Sequence, residues 1–295
     1  MNQKLIVTDY DGTLASNHGA VSSQNRALLD QLGQEKHIRV IATGRNLYSV
    51  KKVIDRNFPI DYVIFTTGAG IIHWPSQKIL VSHHLDEKSI QTTFDCFKRN
   101  QMDFMIHQPI PDNHYFQFFS TGFHNEDFVF RKRHYGLYCR EGNLDSLPSL
   151  ATQFVGVLRP EQSERVFNQI KTDLHTLNTV RATSPFDHNS IWVEVFSHLA
   201  GKHRAADFLS KELNLSHTDT VAIGNDYNDI DLLSWAEKAY VVLTDAKTGI
   251  YRDLKISDDG LKMVMRLRSE YAEPKKVLTD ASRYMDASYL AEANK

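Results

Sequence analysis

The chain has 295 residues, 41% hydrophobic and 24% charged, enough for two domains of ordinary size or one large domain carrying an insert. With 34 Lys and Arg against 36 Asp and Glu the formal charge is -2, so no basic field exists to hold a nucleic acid. The opening residues run into Thr8 and Asp9 without the apolar stretch of a secretory signal, and no later run approaches the roughly 18 apolar residues of a membrane span. Cys96 and Cys139 match no zinc or redox spacing, which is consistent with a reduced, cytoplasmic setting.

Along the chain, short apolar runs alternate with amphipathic stretches, the pattern of βαβ units with a parallel sheet. Strands are predicted over 4–8, 38–42 and 62–66, with a helix capped by Ser22 or Ser23 running to about Gly33 and another over 46–56. The middle of the chain differs: residues 94–138 hold twelve Phe and Tyr, including the strand-like run 115–119. Strands over 154–158 and 191–196 flank a predicted helix near 162–177. The first pattern then returns, with helices over 201–213 and 228–236 and strands over 220–223 and 239–243. The economical reading is an α/β core formed by 1–83 and 198–295, interrupted by an α+β insert over 84–197 with hinges near 83 and 197. The insert carries 11 basic and 14 acidic residues, so it is no phosphate-attracting surface by itself. The tail from about Lys275 is polar with scattered apolar residues.

Four short elements each follow an apolar strand run, where open α/β sheets bind their ligands. Asp9-Tyr10-Asp11-Gly12-Thr13-Leu14 places two carboxylates just past the first strand, a concentrated negative site that suits a hard divalent cation, and Gly12 allows a sharp turn. Thr43-Gly44-Arg45 offers a hydroxyl and a backbone N–H to phosphate oxygens. Gly201-Lys202 supplies a cation at a helix start. Gly224-Asn225-Asp226-Tyr227-Asn228-Asp229 sets an acidic cluster beside an amide. Singly, each has a plain structural reading as a turn, a helix cap or a solvated lysine.

In this order the four resemble the haloacid dehalogenase-like superfamily, specifically the Cof-type sugar-phosphate phosphatases with a type IIB cap. The resemblance implies a Rossmann-like parallel-sheet core with an inserted α+β cap domain that sets substrate specificity. It implies that Asp9 is the nucleophile and forms an aspartyl phosphate, and that Asp11 protonates the leaving alcohol and then activates water. Thr43, Gly44, Arg45, Lys202 and Asn228 would bind the phosphoryl group. Mg²⁺ would be held by Asp9, by the backbone carbonyl of Asp11 and by the last motif, where Asn225, Asp226 and Asp229 are the candidates. Two positions depart from the family pattern. Asn225 stands where the first Asp of Gly-Asp-x-x-Asn-Asp is usual, and Thr67-Gly68-Ala69 replaces Asn-Gly-Ala.

Arg45 and the loop 185–189, with Asp187 and His188, are further expected substrate contacts. The fourteen His residues show no i, i+4 metal pair and read mostly as core or surface residues. The leading expectation is a Mg²⁺-dependent phosphoric monoester hydrolase acting on a small phosphorylated metabolite, a sugar phosphate first among them. It would work as a monomer or homodimer, without nucleic acid or membrane. A phosphotransferase using another acceptor than water, or a non-catalytic sugar-phosphate-binding or regulatory protein, are the alternatives.

Overall fold

The computed structural model describes residues 3–250 except 16–19, 145, 160–161, 163, 185–189, 243 and 246–248. From the N-terminus come β1 (Leu5–Thr8), α1 (Ser23–Gln34), β2 (Ile38–Ala42), α2 (Leu47–Val53) and β3 (Tyr62–Phe65), then the hairpin β4 (Gly70–His73) and β5 (Lys78–Ser82). The middle holds β6 (Leu85–Asp86), α3 (Glu87–Arg99), β7 (Asp103–His107), β8 (Phe116–Phe119), α4 (Glu126–His134) and β9 (Cys139–Glu141). It continues with β10 (Leu150–Ala151), β11 (Gln153–Val157), α5 (Glu164–Asp173), β12 (Asn178–Thr183) and β13 (Ile191–Phe196). The last described elements are α6 (Lys202–Glu212), β14 (Thr220–Gly224), α7 (Ile230–Trp235) and β15 (Lys238–Val241), followed by short strand segments at Thr244–Asp245 and Gly249–Ile250.

The first sheet runs β15-β14-β1-β2-β3-β4-β5 and is parallel from β15 to β3, so the sheet closes around β1 from both ends of the chain. Strands of this kind are buried on both faces, which is why they read as continuous apolar runs. Side chains alternate between the faces: Ile41 and Val63 pack with Leu29, Leu47 and Val50 of α1 and α2, whereas Val7, Val40, Ile64 and Ala222 pack with Ala206 and Leu209 of α6 and Leu232 of α7. Parallel strands deliver all their carboxyl ends to one edge, and the four sequence elements lie there.

The second sheet, β12-β13-β11-β7-β8-β9, is antiparallel apart from β8 with β9. One face buries Phe104, Phe119, Phe154, Val193 and Val195 against Ile90, Phe94 and Phe97 of α3 and Phe167 and Ile170 of α5. The rings of Phe94, Phe97, Phe104 and Phe154 meet mostly edge-on with centroids 5.6 to 5.9 Å apart, contacts of about 0.5–1.5 kcal/mol each beyond the area they bury. The twelve-aromatic stretch is therefore largely the core of the insert. The other face carries Met105, Phe116 and Trp192 against Phe128 of α4.

Several boundaries shift from expectation. The helix expected over 46–56 ends at Val53, where Asp55 turns its carboxylate to the Asn57 N–H at 2.8 Å and competes with helical pairing. The helix expected over 228–236 is a 3₁₀ turn, Tyr227–Asp229, followed by α7. The β4–β5 hairpin and α3, capped by Asp86 on the Ser89 N–H, are additions. Among the described residues no helix is long and apolar enough to cross a membrane. The loop 185–189 and the tail from Lys275 lie outside the described residues.

Candidate active site

β1 ends in a tight turn in which the Leu14 N–H reaches Asp9 O at 3.3 Å and the Ala15 N–H reaches Tyr10 O at 2.8 Å. Gly12 sits in that turn at φ +77°, and a Cβ there would meet Asn225 Nδ2 at 2.7 Å, so both conformation and space require glycine. Asp9 is buried at the strand end, while the Asp11 side chain points to the rim and is 49% exposed. α6 begins at Lys202, whose side chain is completely buried. Its ammonium donates to Asp9 Oδ1 at 2.7 Å and to Asp229 Oδ1 at 2.5 Å. Burial alone would lower the Lys202 ammonium, but Asp229 and Asp9 outweigh it and move it up, so the lysine stays charged. For Asp9 burial dominates and pushes the carboxyl up, with Lys202 opposing.

Asp229 is fixed on its other oxygen, Oδ2, which accepts the N–H groups of Asn225 at 3.0 Å and Asp226 at 3.2 Å. Gly224 makes room for it: a Cβ there would lie 2.7 Å from Asp229 Cβ. Asp226 turns the opposite way and caps the Tyr227 N–H at 2.7 Å. The last motif thus divides its labour. Asp229 faces Lys202, Asp226 holds the turn, and Asn225 reaches back to the first motif. Its terminal amide atom lies 2.9 Å from Thr13 Oγ1, 3.3 Å from Asp9 Oδ2 and 3.1 Å from the Asp11 carbonyl oxygen.

Around this centre, Thr43 is buried and accepts the Arg45 N–H at 3.1 Å. Gly44 faces Thr67 Oγ1 and Asn228 Nδ2, which lie 3.6 and 3.8 Å from the position its Cβ would take, so Asn228 and Thr43–Gly44 line one small cradle. Arg45 forks onto Asp11, with Nε 2.7 Å from Oδ2 and a terminal nitrogen 2.6 Å from Oδ1. The hydrogen bond to Asp11 is the main cause that raises the guanidinium further. His188 lies outside the described residues, as does Asp187.

Three features are additions to the sequence reading. Thr13, inside the first motif, bonds Asn225. Thr67, the residue replacing the usual Asn, donates to the buried Glu194 Oε2 at 3.2 Å, so a carboxylate of β13 meets the edge of the cradle. Tyr48 of α2 touches the insert, its hydroxyl paired with that of Tyr138 and its ring stacked on His114 at 4.4 Å. Only the Thr13 contact had a local signal, its place in the motif. The other two join residues far apart in the chain.

Among the described residues no group of three or more His, Cys, Asp or Glu side chains is placed to hold a metal ion. A cation here would have to draw on mixed oxygens, and Asp9 Oδ2, the Asp11 carbonyl and the Asn225 amide supply such a set at one point. Two buried carboxylates against one ammonium also leave the centre formally negative, which favours a cation.

Comparison with known proteins gives the family. The family model of haloacid dehalogenase-like hydrolases matches residues 6–249. The chain is 25% identical over 244 residues to YxeH of Bacillus subtilis, covering 79% of this chain and 84% of that one. It is 23% identical over 256 residues to the 5-amino-6-(5-phospho-D-ribitylamino)uracil phosphatase YwtE of the same organism, with 79% and 85% covered. In fold it is similar to the subclass IIB sugar phosphatase BT4131, with a TM-score of 0.63 at 16% identity over 81% of this chain and 93% of that one. The chain belongs to the haloacid dehalogenase-like hydrolases, as an enzyme of their phosphatase branch.

Proposed function

We propose that this phosphatase hydrolyses a small phosphorylated metabolite, a sugar phosphate first among the candidates, with Mg²⁺ as cofactor and Asp9 as nucleophile. The observation that carries the reading is the Asp9–Lys202–Asp229 triad beside the oxygen set of Asp9, Asp11 and Asn225. A phosphate monoester dianion is repelled by carboxylates, and the triad keeps a cation within 2.7 Å of the attacking group. Mg²⁺, when bound by Asp9 Oδ2, the Asp11 carbonyl and Asn225, would neutralise the remaining charge. The relative YwtE is named for a small phosphate monoester, which supports the substrate class.

In this reading Thr43, Gly44 and Asn228 seat the phosphoryl oxygens. The Asp9 carboxylate attacks phosphorus, the bond to the leaving oxygen breaks, and Asp11 gives its proton to the departing alkoxide. Water, losing a proton to Asp11, then attacks the aspartyl phosphate, which releases phosphate and restores Asp9. Asp11 is held by Arg45 before substrate arrives, and a phosphoryl group offers Arg45 the same pair of oxygens, so substrate entry frees Asp11. The insert over 84–197 lies over the cradle through Glu194 and Tyr138 and reads the leaving group while the core reads the phosphate.

A phosphate-release panel of sugar, polyol and nucleotide phosphates, with and without Mg²⁺, tests the class. Asp9→Asn is expected to abolish turnover with the fold intact, because a neutral amide forms no acyl phosphate. Activity above about one hundredth of wild type rejects the mechanism.

A further inference from the structure

Asn225 is an amide at the position where the family pattern Gly-Asp-x-x-Asn-Asp has its first carboxylate, and its surroundings are unusual for an amide. Its outer atom faces the Asp11 carbonyl oxygen, which only accepts, Asp9 Oδ2, which only accepts while Asp9 is ionised, and the hydroxyl of Thr13, which can donate or accept. The oxygen and nitrogen of a primary amide are alike in shape, and half a turn about Cβ–Cγ exchanges them. With oxygen inward and Asp9 ionised, the Asn225 oxygen confronts the Asp11 carbonyl and Asp9 Oδ2 at 3.1 and 3.3 Å, near the roughly 2.9–3.0 Å between neighbouring oxygens around an octahedral Mg²⁺, and the three repel unless a cation lies between them. With nitrogen inward, the same atom donates to the Asp11 carbonyl at 3.1 Å, to Thr13 at 2.9 Å and, more weakly, to Asp9 Oδ2 at 3.3 Å. The Thr13 hydroxyl adjusts to either state, since it accepts from nitrogen and donates to oxygen.

We infer that Asn225 exchanges its two amide atoms with metal occupancy: nitrogen inward stands in for the cation in the metal-free enzyme, and oxygen inward ligates Mg²⁺. The inference rests on the metal reading above. A carboxylate in this position has only the second state. It would leave two carboxylates and a carbonyl facing one another whenever the metal departs. The amide therefore trades metal affinity for a metal-free site that keeps its shape, with Lys202 and Asp229 undisturbed. Asn225 is a positioning residue in the empty site and a ligand in the loaded one.

The test compares wild type, Asn225→Asp and Asn225→Ala by thermal melting in chelator and in saturating Mg²⁺, with Mg²⁺ titrated calorimetrically into each. In chelator wild type is expected to melt highest, Asn225→Ala lower for want of the amide, and Asn225→Asp lowest. In Mg²⁺ the order of wild type and Asn225→Asp reverses, and Asn225→Asp binds Mg²⁺ tighter by on the order of tenfold, since a charge replaces a dipole. Asn225→Asp that is soluble only with Mg²⁺ is the same result in its extreme form. Equal melting of wild type and Asn225→Asp in chelator overturns the inference, and so does a lower melting point that Mg²⁺ does not restore. A wild type that takes up no Mg²⁺ overturns the metal reading beneath it instead.

Discussion

In the core sheet the buried charges meet at strand ends and are matched by full opposite charge, Lys202 between Asp9 and Asp229. Around the second sheet they lie in α4 and on β13 and are matched chiefly by neutral groups. Asp127 accepts from Trp192 Nε1 and Ser184 Oγ, Arg131 stands 4.5 Å over the Trp192 ring, and Glu194 accepts from Thr67 across the cleft. Burial pushes the Arg131 guanidinium down and the Glu194 carboxyl up. His107, also buried on this sheet, is pushed down to about 3 by burial, with Nδ1 on Asn113 O and no partner for Nε2 among the described residues. At the centre Lys202 is kept charged by its two carboxylates, while burial pushes the Asp9 carboxyl up against the pull of that lysine. A face matched by rings and hydroxyls is sensitive to pH and to contact with the core.

The strongest way to break this comparison is Lys202→Met. Two carboxylates would be left buried without their cation, and a loss of about 3–5 kcal/mol in denaturant unfolding is expected, together with loss of phosphate release. A loss below about 1 kcal/mol would make the triad no different from a surface pair. A middle-sized effect belongs to His107. Its folded value near 3 lies below the unfolded value of about 6.5, so its contribution is fully present above pH 6.5 and is lost as pH falls towards 3. Between pH 6.5 and 5 the stability of the insert should drop by about 2 kcal/mol, and His107→Gln should remove that slope. A slope of equal size in the His107→Gln variant assigns it to other groups. The smallest effect is at the contact between the sheets. Tyr138→Phe removes the hydroxyl paired with Tyr48 and should raise KM about two- to tenfold, leaving kcat within a factor of about two. Unchanged KM would show that the two hydroxyls do not hold the sheets together during turnover.

The core was legible in the sequence because its signals are local. Parallel strands buried on both faces appear as apolar runs, and each catalytic candidate follows its own strand within a few residues, as Asp9 follows Leu5–Thr8 and Asn225 follows Thr220–Gly224. Ser22 and Asn46 announce their helices in the same way. Which acid of the last motif does what was not legible. Asp226 and Asp229 are alike in sequence, and only the space above Gly224 and the arrival of Lys202 turn Asp229 inward. The second sheet was read in part, through its aromatic runs. Its polar network joins α4 to β13 and to Ser184 just past β12, residues more than fifty positions apart, and no periodicity records such pairings.

The pairing of Leu5 with Thr220 in the middle of the first sheet bears on how the chain is made. On the ribosome β1 can meet β2 and β3 soon after it emerges, since they follow it closely, but its other neighbour, β14, is some two hundred residues further on. At about 5–20 residues per second the open edge of β1 waits on the order of 10–40 s. The second sheet, whose strands all fall between Asp103 and Phe196, has every partner in hand before then. Local pairings form faster than distant ones. The second sheet therefore completes its fold first and the enzyme's centre last, so a truncated chain would carry a finished second sheet beside an unfinished site, with an apolar strand edge that a folding cell must shield.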